Sequence, residues 1–343
     1  MRTRFQPLLL AVATLTLAAV DAPAQSVATT APTGRANLHL CSTSWSPFTN
    51  EAGKPRYAIE LVDAALKRLG LTADTAIIPD GELTSSLLQG RFDGSPALWR
   101  SEEREAKLVY SKPYHENQLV LVALKGHDVS APALPALEGR RIALVDGWAY
   151  GDALKVPRGP TYVPSKTIED SLQKVLHGEV EYALMDALVI EYLVQNYPEE
   201  VKTRLAIGTE PMLIRTLHFA LSRKVPGAES IVARFDAEIT KMVADHSYHQ
   251  LLRVGWVEAD VNGDGRTELV PASDQAGSGP PVRRYETVTV SASPQKTPGP
   301  KRFFIGGQVY ENWKDVPDRY KVMDTNRTPW GSQSAPIFSF KWN

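Results

Sequence analysis

Three stretches of this 343-residue sequence hold residue types whose spacing could do chemistry. The most explicit is "EADVNGDGRTELV". Asp260, Asn262 and Asp264 alternate, Gly265 follows and Glu268 completes the series, matching positions one, three, five, six and nine of an EF-type calcium loop. A hard cation needs short oxygen-bearing side chains on alternate residues and a glycine at the sharp turn. Position twelve is Pro271, so the strong bidentate acid is missing and the expected affinity falls to roughly 0.1 to 1 mM. A plain Asx-rich turn explains the same residues. The second stretch is "LWRSEER", residues 98 to 104, in which Arg104 is either one more solvated charge or a residue that holds something. The third feature is a set of tryptophans, Trp45, Trp99 and Trp148, in three separate loops. They are ordinary core, or they supply stacking or cation–π contacts to a flat or cationic solute.

Several kinds of chemistry are excluded. Glycine-rich phosphate loops, zinc-type cysteine pairs and a Gly-x-Ser-x-Gly elbow are all absent from the sequence. His246 and His249 are three apart but have no evident third partner, so no metal site is expected there. With 38 basic against 39 acidic residues the formal charge is -1, and no broad basic surface for nucleic acid or membrane is implied. The single cysteine, Cys41, rules out an internal disulfide and reads as a small buried apolar side chain.

The elements that position these residues alternate between strand and helix. "LHLCST" reads as a strand, and the helix after it carries Ile59, Val62, Leu66 and Leu69 on one face. "DTAIIP" is the next strand and "GELTSSLLQG" the next helix, ended by Gly90. The pattern restarts with "RRIALVD" as strand, "TIEDSLQKVLHG" as helix with Ile168, Leu172, Val175 and Leu176 inward, and "EYALMD" running into the helix "ALVIEYLVQNY". "LHFALSR" returns as a strand, and the helix after it presents Ile231, Phe235, Ile239 and Met242 to the core. This order predicts an α/β fold with parallel strands and ligand loops at the strand ends. The chain crosses near "VALKG" and again near "PMLIRT", predicting two α/β lobes with a hinge and a cleft: residues 37–124 and 210–256 as lobe 1, 125–209 as lobe 2.

The ends read differently. Arg2 and Arg4 precede an apolar run from Leu8 to Val20 and the small residues Ala22-Pro23-Ala24, which predicts a secretory signal peptide over 1–24 and an exported, periplasmic protein. The run is too short for a spanning helix. Residues 25–36 form a polar lead-in. After the calcium-loop-like segment at 257–271, residues 272–300 have the composition of a Pro/Ser/Gly linker. The last segment, 301–343, has one expected strand, "RFFIGGQVY", and five tryptophan or tyrosine residues between Tyr310 and Trp342, enough apolar material to dock or to form a small module.

The blocks "STSWSPFTNEAGKPRYAIELVDAALKRLG", "LLQGRFDGSPALWRSEEREAKLVYSKPYHENQLVLVALKG" and "HGEVEYALMDALVIEYL" resemble, in order and spacing, the periplasmic solute-binding proteins of family 3, the polar amino-acid uptake family. The resemblance covers about residues 37 to 256. It implies a bilobed fold that closes on a small solute and hands it to an ABC permease. It also implies that Arg104 grips the solute's α-carboxylate, that Asp186 accepts from the solute ammonium and that Trp45 covers the bound side chain. A guanidinium offers the planar two-pronged donor that a carboxylate fits. An aspartate at position 186 is equally suited to cap the following helix. The chain departs from the family pattern at Pro96, Ala97 and Trp99, and again at Gly147-Trp148-Ala149-Tyr150, where small hydroxyl residues are usual. With Trp99, Trp148 and Tyr150 in the expected site, the solute need not be a standard amino acid.

The resulting expectation is a periplasmic binding protein for a carboxylated, amino-acid-like metabolite, with no catalysis and no cofactor beyond structural calcium. Two other readings stay open: an accessory or sensor protein that docks a partner through its tail, and an enzyme of the cyclohexadienyl dehydratase kind that shares the fold.

Overall fold

Alternation of exposed and buried residues in "NLHLCS" lays down β1 (Asn37–Ser42), and α1 (Tyr57–Arg68) carries the chain back to β2 (Thr72–Ile77), which pairs with it in parallel. Parallel pairing requires such a crossover, and α1 covers the sheet with Ile59, Val62 and Leu66 fully buried. A second crossover, α2 (Leu83–Gln89), leads to β3 (Gly94–Trp99), which joins β1 on its other side. The short helix α3 (Glu102–Glu105) and β4 (Leu108–Tyr110) follow. The computed structural model describes residues 37–254, 256–262, 264–272, 287–290 and 302–318. The expected signal peptide, the lead-in, most of the linker and the chain past 318 lie outside the described residues.

Two long strands connect the lobes. β5 (His115–Leu124) leads into a second α/β unit made of β6 (Arg141–Val145), β7 (Thr161–Ser165), α4 (Ile168–Leu176), β8 (Tyr182–Asp186), α5 (Ala187–Asn196) and α6 (Pro198–Arg204). The chain returns along β9 (Leu205–Ser222), whose first part pairs with β5 and whose last part pairs with β3. The strand order is β2-β1-β3-β9-β5-β8-β6-β7, with β4 on β9. The expected crossing at 124/125 is the end of β5, whose residues 119–123 already pair with β8. Helices α7 (Ala228–Ala244) and α8 (Ser247–Leu252) return to α1, with Phe235 and Met242 fully buried. Each such side chain stabilises the fold by about 1.5 to 3 kcal/mol. Cys41 is fully buried, and that burial pushes its thiol up to about 12. No helix among the described residues is long and apolar enough to cross a membrane.

A second sheet is built from the end of the chain. β10 (Trp256–Ala259) and β11 (Glu268–Pro271) form an antiparallel pair flanking the calcium-loop-like turn. β12 (Thr287–Val290) joins β10, and β13 (Arg302–Ile305) joins β11, both in parallel, with β14 (Gln308–Tyr310) on the outer edge. Two expectations change here. The stretch assigned to a linker contains a strand, because "TVTV" is an alternating β-branched run that pairs readily. "RFFIGGQVY" is a hairpin rather than one strand, since Gly306 and Gly307 take φ of 58° and 80°, the left-handed values a two-residue turn requires. Trp256, Leu269, Phe303, Ile305 and Val316 close a small core on this sheet.

Candidate functional site

The loop after β1 is held by its own backbone. Trp45 N–H donates to the Thr49 carbonyl at 2.8 Å and Thr49 N–H returns to Trp45 at 2.9 Å, while the Thr49 hydroxyl donates to the Thr43 carbonyl at 2.7 Å. This presents the Trp45 ring to the cleft between the lobes. Trp99 arrives from the end of β3, and Trp148 and Tyr150 come from the loop after β6. The ring centroids lie 4.8 Å apart for Trp45 and Trp148, 5.3 Å for Trp45 and Trp99, and 5.4 Å for Trp99 and Trp148. Tyr150 meets Trp99 edge-on at 5.4 Å. These aromatics are buried or half-buried, and they pack against one another across the lobes.

Polar contacts fix Trp148, Tyr150 and Trp99, whereas the Trp45 indole N–H is buried without a partner among the described residues. The Trp148 indole N–H donates to Asp80 Oδ1 at 3.2 Å, a bond from the second lobe to the first. Burial raises the Asp80 carboxyl, against the pull of its bonds to Thr43 and Trp148. The Tyr150 hydroxyl accepts from Val145 N–H at 3.0 Å, and burial holds its phenol well above the ordinary range. Trp99 Nε1 donates to Asn117 Oδ1 at 2.7 Å, and Asn117 Nδ2 donates to Asp186 Oδ2 at 3.0 Å. Neither Asp80 nor Asn117 is among the residues the sequence singled out. For Asn117 the signal was a polar run, "HENQ", opening an otherwise apolar strand.

Asp186 stands at the end of β8 and caps α5, its Oδ1 accepting from Leu188 N–H at 2.8 Å. Its exposure is 1%, and burial pushes the carboxyl up to about 7 although Asn117 and three backbone N–H groups favour the anion. Within the described residues the cap and the Asn117 bond occupy both of its oxygens.

Arg104 is on α3 and is not solvated. It is 5% exposed; its Nη1 donates to the Trp99 carbonyl at 3.3 Å and its Nε has no partner. Burial lowers its hold on the proton, partly offset by the neighbouring Tyr110 phenol. Trp99 thus touches Arg104 through its carbonyl and reaches Asp186 through Asn117, placing the two expected ligand groups on one network.

The calcium-like loop lies elsewhere, between β10 and β11. Asp260 accepts from the N–H groups of Asp264 and Gly265 at 3.1 and 2.9 Å, the turn that its spacing implies. Arg302 from β13 is 6% exposed and donates to Asp264 Oδ2 at 3.1 Å, and it pairs with the fully buried Glu268 at 3.0 Å. A guanidinium thus takes two of the four expected ligands. Asn262 is exposed at the tip. Among the described residues no group of three His, Cys, Asp or Glu side chains is disposed to hold a metal ion.

The family described as bacterial extracellular solute-binding proteins, family 3, matches residues 41–256. No curated protein matches the sequence. Among solved structures, an ancestral arginine-binding protein bound to arginine is 22% identical with a TM-score of 0.53, covering 63% of this chain and 96% of that one. An amino acid ABC transporter substrate-binding protein from Streptococcus pneumoniae bound to L-arginine is 17% identical with a TM-score of 0.52, covering 63% and 93%. The GluR0 ligand-binding core from Nostoc punctiforme in complex with L-glutamate is 16% identical with a TM-score of 0.52, covering 62% and 96%. At these identities the likeness is one of fold: two lobes, here followed by the C-terminal sheet.

Proposed function

We propose, starting from the fact that this chain belongs to the bacterial extracellular solute-binding proteins, family 3, that it captures a small carboxylated, amino-acid-like metabolite between its lobes in the periplasm and delivers it to an ABC permease. The observation that carries this reading is Arg104: a buried guanidinium with a free Nε, beside an aromatic wall drawn from both lobes. Burying a cation without an anion is unfavourable, and a solute carboxylate would supply that anion. In this reading Arg104 grips the carboxylate. Trp45, Trp99, Trp148 and Tyr150 enclose the rest of the solute, and Asp186 receives an ammonium at the helix cap. The protein does no chemistry on its solute, in keeping with a family described by binding alone.

The test is calorimetry after a thermal-shift screen of carboxylated amino-acid-like compounds, since a solute bound only by the folded form raises the melting temperature. Arg104→Ala is expected to weaken binding of a solute so found by about 2 to 5 kcal/mol, the range for truncating one member of a buried charge pair. Unchanged affinity in a folded variant removes Arg104 from the site.

A second reading, an accessory or sensor protein, is favoured by the C-terminal sheet, which extends past the last family-matched residue with β14 as an edge strand. Pull-down with and without residues 272–343 separates it from transport. Calcium binding at Asp260, Asn262, Asp264 and Glu268 is a separate structural proposal, and it requires Arg302 to withdraw from Asp264 and Glu268.

A further inference from the structure

We propose that the solute carries two carboxylates, the second held by Arg215, so that this binding protein is specific for a dicarboxylic metabolite and disfavours a cationic one. The inference rests on the reading of the cleft as a solute site. It adds a second anion subsite and the class of solute that fills it.

Arg215 lies on β9 opposite Asn117 of β5, at the point where the chain passes between lobes. Its guanidinium carbon sits 5.8 Å from the Trp99 ring centre, and its Nη2 donates to the Arg100 carbonyl at 2.8 Å. Its Nε is buried without a partner. On the far side it meets the second lobe at Gly151, where a Cβ would stand 2.9 Å from Nη1, so any side chain there would displace the guanidinium. Arg215 thus lies on the same tryptophan as Arg104, whose carbonyl contact is also to Trp99.

Glu103 and Tyr110 offset the charge of this pair only in part. The Arg104 charge is near enough to weaken Arg215's hold on its proton, in addition to the effect of burial. Of the neighbouring acids, Glu105 pairs with Arg100 at 2.9 Å, Asp80 accepts from Trp148, and Asp186 is taken by Asn117 and the α5 cap, while Glu103, exposed on α3, offsets the Arg104 charge only in part. Among the described residues neither Arg104 nor Arg215 forms an ion pair, and each leaves a buried Nε donor unused. Two like charges held near each other, Arg104 buried and Arg215 half-buried, favour an occupant with anionic groups at two points. One carboxylate satisfies one fork, and a second satisfies the other. The same field opposes an arginine-like or lysine-like side chain.

A purely mechanical role for Arg215, latching the two lobes through its contact at Gly151, makes a different prediction. Loss of a latch weakens every solute by the same factor, whereas loss of an anion subsite changes the ratio between solutes.

The experiment is calorimetry on the full chain with isosteric pairs that differ by one carboxylate: L-glutamate against L-glutamine, L-aspartate against L-asparagine, and succinate against succinamate. Wild type is expected to prefer the dicarboxylate of at least one pair by roughly 10- to 100-fold, the range for a hydrogen bond to a charged group. Arg215→Gln is expected to collapse that ratio toward one while its circular-dichroism melt stays wild-type. Arg215→Lys, which keeps the charge and loses the fork, should retain part of it. The dianion assignment is overturned if the ratio is near one in wild type, if Arg215→Gln weakens both members equally, or if L-arginine binds more tightly than every dicarboxylate. If none of these six compounds binds but another amino acid from the thermal-shift screen does, the assignment falls and solute capture stands. If nothing in either set binds, both fall.

Discussion

At the scale of single residues, burial decides the chemistry more than residue type does. His115 on β5 is 2% exposed, packs 5.3 Å from Phe48 and has no hydrogen-bond partner on either ring nitrogen. Its removal from water lowers the imidazole from its usual range to about 3. The unfolded chain protonates near pH 6.5 and the folded chain only near 3, so this neutral histidine contributes stability above pH 6.5 that is lost as the pH falls toward 3. At pH 5 the loss is about 2 kcal/mol. His115→Phe is therefore expected to flatten the acid limb of stability. Urea unfolding at pH 7 and pH 5 checks it, and an identical pH 5 loss in both proteins would assign the acid sensitivity to other groups.

Among elements, the pair β11 and β13 shows how the end of the chain is tied down. Glu268 is fully buried on β11, and Arg302 reaches it from β13 together with Asp264 of the turn. The pair lies close to the surface of a small sheet, so solvent screens part of it, and Arg302→Ala is expected to cost about 1 to 3 kcal/mol as Glu268 loses its counter-charge. Faster hydrogen exchange at the β11 and β13 amides, with β1 and β3 unchanged, is the local signature. The same substitution frees the acids of the calcium-like loop. Calcium against chelator should then shift the melting temperature of Arg302→Ala more than that of wild type; equal melting in all four samples would show that the loop takes no calcium even without Arg302.

For the whole molecule, the two strands that pass between the lobes make the cleft a hinge, and the aromatic cluster spans it. Trp148 bonds to Asp80 and packs on Trp45 and Trp99, so any change in lobe separation alters three indole environments at once. Addition of a confirmed solute is expected to change tryptophan fluorescence and the small-angle scattering radius together, and Trp45→Ala should lower affinity. A tight solute that leaves both signals constant would show that the lobes do not move.

The amino-acid sequence by itself determined the α/β order, the core faces of α1, α4 and α7, and the family blocks. Those follow from periodicity and local spacing, which a linear chain displays directly. Through the family resemblance it also offered Arg104, Asp186 and the tryptophans as candidates for one site. What they touch was decided only by the tertiary structure. The cap that Asp186 gives α5 is local, but its second oxygen is taken by Asn117, 69 positions earlier, which strand pairing brought against it. Arg215 carried no signal in the sequence, since an arginine near a strand crossing looks like any exposed charge. Only the register of β5 with β9 sets it over Trp99 and against Gly151. Arg302 likewise met the calcium-like loop from 38 residues beyond Asp264, through a hairpin that composition had merged into one strand. Contacts of that sequence separation depend on sheet order and register, and no local pattern of residues encodes either.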